Sequence, residues 1–197
     1  MRVIIAGSRT ITDYFALLRA IKNSRFDITA VVSGTARGVD ELGERFAGEN
    51  SLELLRYPAE WNKYGKKAGY LRNKEMAEAA DALIALWDGT SHGTRHMINI
   101  MRDKHKPVYA VIPTRVVHCK KEKYDVYIGR PSEWGNPFVG GRDGTREEVI
   151  EKYRKYLIKN PLIEKVHELR GKTLGCWCRP RKCHGDILAE YAGDMEV

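Results

Sequence analysis

Within the first 112 residues a short apolar run recurs five times, each separated from the next by a segment of helical period, and this alternation leaves few folds open. The first run, Val3-Ile4-Ile5-Ala6, stops at Gly7-Ser8, as a parallel strand buried on both faces does. Residues 13–22 place Phe15, Leu18 and Ile21 at helical spacing, with Thr12 or Asp13 available to cap the first turn. Further strands are predicted over 28–32, 52–57, 82–86 and 107–112, with helices over 39–49, 68–80 and 94–102 between them. Strands joined through helices run parallel, because each crossover returns the chain to the same end of the sheet, and helices then cover both faces.

The rest of the chain reads as a separate unit. Strands are predicted over 115–119, 124–128 and 173–177, and Thr145 caps a helix over 146–159. Glu147 and Glu148 fall in its first turn, where the helix dipole favours acids, and Val149, Tyr153, Tyr156 and Leu157 share a face. Pro161 opens a further helix that ends at Gly171, and residues 187–191 form a closing helix. The expected architecture is α/β throughout: a parallel-sheet domain over 1–113, then a second small α/β domain over 114–197.

Composition narrows the function classes. Of 197 residues 43% are hydrophobic and 30% charged, which excludes collagen-like and low-complexity chains. No apolar stretch approaches the length of a membrane span, and the start of the chain is too short in apolar residues for a signal peptide. A cytoplasmic location without a membrane partner is expected. The four cysteines, Cys119, Cys176, Cys178 and Cys183, then read as thiols or metal ligands and not as a disulfide framework. The net charge is +8, yet residues 1–113 and 114–197 each carry 17 basic and 13 acidic side chains. Without a basic tail or stripe, nucleic-acid binding or modification is the alternative reading. A phosphorylated small molecule, which needs only a few cations, leads, and a homo-oligomer is compatible with either.

In parallel sheets ligands sit beyond the carboxyl ends of the strands, where strand order reverses. Three such ends are rich in glycine and hydroxyls: Gly7-Ser8-Arg9, Gly34-Thr35-Ala36-Arg37-Gly38-Val39-Asp40, and Asp88-Gly89-Thr90-Ser91-His92-Gly93-Thr94. Glycine lets backbone N–H groups approach an anion, and the helix behind each loop adds partial positive charge. None is a Walker loop or a GxGxxG fingerprint.

These three loops, with Trp61, Tyr64-Gly65-Lys66, Ala68-Gly69, Arg72-Asn73-Lys74-Glu75-Met76 and Trp87-Asp88-Gly89, resemble the YspA-like branch of the SLOG superfamily over about residues 1–112. The resemblance implies a Rossmann-like fold that binds nucleotides or nucleotide-derived molecules, as a sensor or as a hydrolase, in settings that include phage–host conflict. It implies ligand contacts from Gly7, Ser8, Arg9, Gly34, Thr35, Arg37, Asp40, Asn73, Gly89, Ser91, Gly93 and Thr94. Related phosphoribohydrolases cleave a base from a nucleoside monophosphate with an Arg from RK-x-x-M and a Glu from PGG-x-GT-x-x-E. Arg72 and Met76 match the first motif, and Gly93-Thr94 match part of the second, but the Glu position falls on Met97. A thioether neither activates water nor stabilises an oxocarbenium-like charge. Arg72, Glu75 and Asp88 remain the catalytic candidates, with Asp13, Asp40 and His92 as other replacements for the missing carboxylate, for N-glycosidic or phosphate-ester hydrolysis.

Near the end of the chain stands Cys176-Trp177-Cys178-Arg179-Pro180-Arg181-Lys182-Cys183-His184-Gly185-Asp186. In a continuous strand Cys176 and Cys178 share a face opposite Trp177. Zinc at Cys176, Cys178, Cys183 and His184, completed by Cys119 or His118, is one reading; without a C-x-x-C pair it is not favoured, and no cofactor is expected. With Tyr127-Ile128-Gly129-Arg130 and Trp134-Gly135-Asn136-Pro137-Phe138, this ending resembles a family of uncharacterised bacterial and phage domains over about residues 114–193. Arg130, Asn136, Arg146, Arg179, Cys183, His184 and Asp186 lie on loops or helix starts and are expected to line a second anion or sugar site, with Trp134 or Trp177 available for stacking.

Overall fold

The computed structural model describes all 197 residues, which divide into two compact units: residues 1–112 with the terminal Glu196 and Val197, and residues Pro113–Met195. The first unit contains β1 (Arg2–Gly7), α1 (Tyr14–Ser24), β2 (Ala30–Ser33), α2 (Val39–Glu49), β3 (Glu53–Arg56), α3 (Trp61–Tyr64), α4 (Ala68–Ala79), β4 (Ala82–Leu86), α5 (His92–Asp103) and β5 (Val108–Ile112). The five strands are parallel in the order β3-β2-β1-β4-β5. The chain thus builds outward from β1 in one direction and, after α4, crosses back to build in the other. The reversal falls between β1 and β4, which pair from Val3↔Ala82 to Gly7↔Leu86.

Alternation along the strands explains the two helical layers. Val3 and Ile5 of β1 and Ala82, Ile84 and Leu86 of β4 pack with Leu17 of α1 and Val39 and Ala47 of α2. Ile4, Ala6, Leu83 and Ala85 point the other way, against Met76 and Ala77 of α4 and Met97, Ile98 and Met101 of α5. Strands this apolar on both sides fit only a fully covered parallel sheet. Asp13 caps α1 by accepting from Phe15 N at 3.1 Å, and Ser91 caps α5 by accepting from Thr94 N.

Two features depart from the sequence reading. A sixth strand, β9 (Met195–Glu196), joins the edge beyond β5, with Val197 N donating to Ala110 O at 3.0 Å. The predicted strand loop after β3 also holds α3 and a short 3-10 turn over Gly65–Lys67. Both segments are too short to carry a period.

The second unit contains β6 (Arg115–His118), β7 (Val126–Tyr127), α6 (Arg146–Lys159), α7 (Leu162–Lys165), β8 (Thr173–Cys176) and α8 (His184–Ala192). Its three strands are parallel in the order β6-β8-β7. Tyr153 and Leu157 of α6, Ile187, Leu188 and Ala192 of α8, and Val116, Ile128, Trp134 and Leu174 form its core. Thr145 and Glu148 make a reciprocal capping box at the start of α6. The predicted strand over 173–177 is shorter by one residue: β8 stops at Cys176, and Trp177 opens a turn with its ring 55% exposed. No helix of either unit is long and apolar enough to cross a membrane.

Candidate functional site

At the β1/β4 reversal the three glycine-rich loops surround a cleft of about 330 Å³. Its wall includes Gly7, Arg9, Asp40, Arg72, Asn73, Asp88, Ser91, Gly93 and Thr94, all expected from the sequence, together with Thr10, Ala36 and Met97. The loops are pressed close. Gly38 has φ +83°, and a Cβ there would stand 2.7 Å from Ser8 O. Only glycine tolerates both demands.

Arg72 is the anchored cation of the cleft. Its Nη1 donates to Gly34 O, its Nε donates to Asn73 Oδ1 at 3.0 Å, and Nη1 lies 3.8 Å from Asp40 Oδ2. Nη2 makes no hydrogen bond within the protein, and the side chain keeps 13% exposure. Burial and the nearby Arg9 charge lower the Arg72 pKa, opposed by Asp40. A Cβ at Gly34 would fall 1.9 Å from Arg72 Nη1, so a larger residue there would have to displace the guanidinium from this position. Asn73 in turn donates to Gly93 O at 3.1 Å and ties α4 to the start of α5.

The acids of the cleft have structural duties. Asp88 Oδ1 accepts from Thr90 N at 2.9 Å and Ser91 N at 2.8 Å, and Oδ2 accepts from Thr10 Oγ1 at 3.2 Å. Burial raises its pKa, but the hydrogen bonds from Thr90, Ser91 and Ser8 outweigh burial and hold the carboxyl below its ordinary value. Asp40, 3% exposed, is pushed up to about 6 by burial, against the pull of Arg72 and the N–H groups of Ala36, Gly7 and Gly34. Because its folded pKa exceeds the unfolded value of 3.8, the fold binds the extra proton between about pH 4 and 6, and stability falls as pH rises through that window. The loss is on the order of 3 kcal/mol. Urea unfolding of wild type and Asp40→Asn at about pH 4.5 and 7 is expected to show a steeper loss in wild type; parallel behaviour would contradict the buried-acid assignment.

Other predicted residues lie apart. Ser8 is buried, and its Oγ accepts from Asp88 N at 3.0 Å, so it braces the loop. Thr35 (φ +57°) and Gly89 (φ +82°) shape the turns, and Arg37 is exposed outside the cleft wall. Glu75 is absent from the cleft wall: three residues after Arg72 on α4, it lines a neighbouring hollow with Arg56, Tyr57, Lys63, Tyr64 and Arg72 itself. Thr10 was missed, although it directly follows the first loop. Met97, 2% exposed, lines the cleft where the hydrolase motif places its Glu.

A second cavity of about 500 Å³ lies in the second unit, walled by Arg130, Asn136, Arg146, Trp177, Cys176, Cys178, Cys183 and His184. Asn136 fixes its loop, accepting from Phe138 N at 2.9 Å and donating to Val149 O at 3.1 Å. Arg179 and Asp186 do not line the cavity. They form a buried ion pair, with side chains 9% and 8% exposed, in which Arg179 Nε donates to Val116 O at 2.9 Å and Asp186 Oδ2 accepts from Cys183 N at 2.8 Å. Trp134 is also withdrawn: it is 5% exposed and its carbonyl accepts from Tyr153 Oη at 2.8 Å, so of the two tryptophans only Trp177 lines the cavity.

The cysteines behave differently from their linear spacing. The turn at 177–182 folds Cys183 back, so that the Sγ atoms of Cys176, Cys178 and Cys183 lie within 4.8 Å of one another. Hydrogen bonds from the Cys176 and Cys183 thiols, together with Arg146, lower the Cys178 pKa, while the Cys176 thiol is raised to about 11 and Cys183 is raised further. His184 stands outside this group. Its Nε2 lies 2.8 Å from Ile128 O, and burial lowers its pKa.

Residues 1–64 match the YspA, cpYpsA-related SLOG family, and residues 114–194 match a domain of unknown function, DUF4326. The first match ends before Arg72, so the cleft extends beyond it. Relatives include the uncharacterized 12.4 kDa protein in the nrdA-td intergenic region of Enterobacteria phage T4, 48% identical over 86 residues, 41% of this chain and 79% of that protein. The Gene 61 protein of Mycobacterium phage D29 is 40% identical over 122 residues, 56% of this chain and 94% of its own. The uncharacterized protein R718 of Acanthamoeba polyphaga mimivirus is 38% identical over 84 residues, 34% of this chain and 65% of that protein. No solved structure matches the chain. With the Rossmann-like sheet and the cysteine cluster in place, the chain belongs with these viral relatives, as a YspA-like SLOG domain fused to a DUF4326 domain.

Proposed function

We propose that the cleft of the SLOG domain binds a phosphorylated, nucleotide-derived small molecule. The observation that carries this reading is the Arg72 guanidinium, anchored through two of its nitrogens at the sheet reversal with its third nitrogen free, beside Arg9 and the starts of α2 and α5. A phosphate oxygen placed there meets fixed charge and oriented N–H groups with little reorganisation. SLOG membership supports a nucleotide as the source of that phosphate.

Calorimetric titration with nucleoside monophosphates, nucleoside diphosphates and ADP-ribose tests the reading. Binding of at least one, with affinity that changes little between about 50 and 200 mM salt, is expected from a pocket contacting one or two phosphates. Affinity only for DNA or RNA, falling by orders of magnitude over that range, would favour the nucleic-acid alternative.

Base release by the phosphoribohydrolase route is expected to be weak or absent. Met97 occupies the Glu position, Asp88 is consumed by loop donors, and Glu75 faces another hollow. Chromatography of overnight reactions with the common monophosphates checks this, and rapid release of a free base would show that Asp40 or Asp88 has taken the role.

A further inference from the structure

The three-cysteine cluster has donor chemistry that nothing in the nucleotide-binding reading uses. All four cysteines are free thiols, and three of them converge at the floor of the second cavity. A tetrahedral zinc ion with bonds of about 2.3 Å sets its thiolate sulfurs about 3.8 Å apart. A largest separation of 4.8 Å is therefore within a modest side-chain adjustment of a single-ion site. We propose that Cys176, Cys178 and Cys183 bind one zinc ion whose fourth coordination position opens into the cavity beside Arg130 and Arg146.

The open position follows from where the other donors are. Neither nitrogen of His184 belongs to the group, and its Nε2 lies against Ile128 O. The Asp186 carboxylate is engaged by Arg179 and by Cys183 N. Cys119 is likewise outside the group. Three protein ligands with a vacant fourth position is the pattern that admits water or an anionic ligand oxygen, whereas structural sites close with four.

The surroundings match the charge and rigidity such a site needs. Zinc with three thiolates carries a net charge of −1, and the Arg146 guanidinium interacts with Cys178 and offsets it. Arg146 is itself held by its bond from Nη1 to Lys182 O at 3.2 Å. Cys119 N donates to Cys176 O at 3.2 Å, and Asp186 fixes the backbone N–H of Cys183, so two ligands are oriented by their neighbours. Binding replaces three S–H bonds with three Zn–S bonds and releases the three protons to solvent.

The test uses the full chain purified under reducing conditions. Elemental analysis is expected to find about one zinc per chain, and Co²⁺ substituted for it should give sulfur-to-cobalt charge-transfer absorption and tetrahedral d–d bands. Zinc should fall at least about tenfold in C176S, C178S and C183S, and stay in C119S and H184Q. Because the buried variants risk misfolding, C178S, at the partly buried position of the three, checked by near-ultraviolet circular dichroism, decides. Azide added to the cobalt protein should shift the d–d bands. Reduced wild type that neither carries zinc nor develops cobalt–sulfur absorption overturns the site, as does zinc retained in folded C178S. An intact mass lower by two hydrogens in metal-free protein would assign the cluster to thiol–disulfide chemistry instead. Bands unmoved by azide would overturn the open position.

Discussion

Arg72→Ala is expected to weaken nucleotide binding ten- to a hundredfold, about 1.5 to 3 kcal/mol, the scale of one charge-assisted hydrogen bond. The residue is the only guanidinium of the cleft fixed on two sides, by Gly34 O and Asn73 Oδ1. Truncation also leaves Asp40 buried without its counter-charge, so the Asp40 proton is held more tightly and the variant should lose stability toward neutral pH. Arg72→Lys separates the effects: it keeps a charge near Asp40 but loses the planar fork, and affinity should recover only in part. Titration with whichever nucleotide binds wild type is the measurement. Unchanged affinity in Arg72→Ala would remove the cleft from consideration.

The largest stability effect is expected from Asp186→Ala. Its carboxylate pairs with Arg179 where both side chains are less than a tenth exposed, and it satisfies Cys183 N at the start of α8. Removing one partner of a buried pair costs about 3 to 5 kcal/mol, because the remaining charge has no compensation. A midpoint lower by more than about 10 °C is expected for a unit of this size. Replacing both residues, as Arg179→Met with Asp186→Leu, should be far milder than the single change, since no charge is then stranded. Thermal unfolding of the two variants checks the order. A stable Asp186→Ala chain would mean that the pair is available to ligands, as its loop position suggested from the sequence.

Glu75 and Asp88 illustrate where residue type stops being informative. Both are carboxylates near glycine-rich or cationic motifs, yet Glu75 turns to a separate hollow while Asp88 becomes a loop brace. A rotation of about 60° around α4 between Arg72 and Glu75 decides the first, and a run of N–H groups that exists only once the turn is formed decides the second. Trp134 is similar. An aromatic ring in a polar loop reads as a stacking surface, but here it completes the core beside Tyr153.

Local pattern determined a great deal by itself. The apolar runs, the helical spacing between them and the caps at Asp13 and Thr145 are short-range properties, because burial on two strand faces or on one helix face imposes its period on adjacent residues. The carboxyl ends of the strands, and with them the positions of the three loops, follow from the same periods. Only the tertiary structure decided the strand order that draws those loops into one cleft, the pairing of Arg179 with Asp186, the two-residue β9 and the meeting of three sulfurs across a turn. These depend on contacts between segments far apart in the chain or on single backbone turns. Neither leaves a period in the sequence, so their outcome is set by how the whole unit packs.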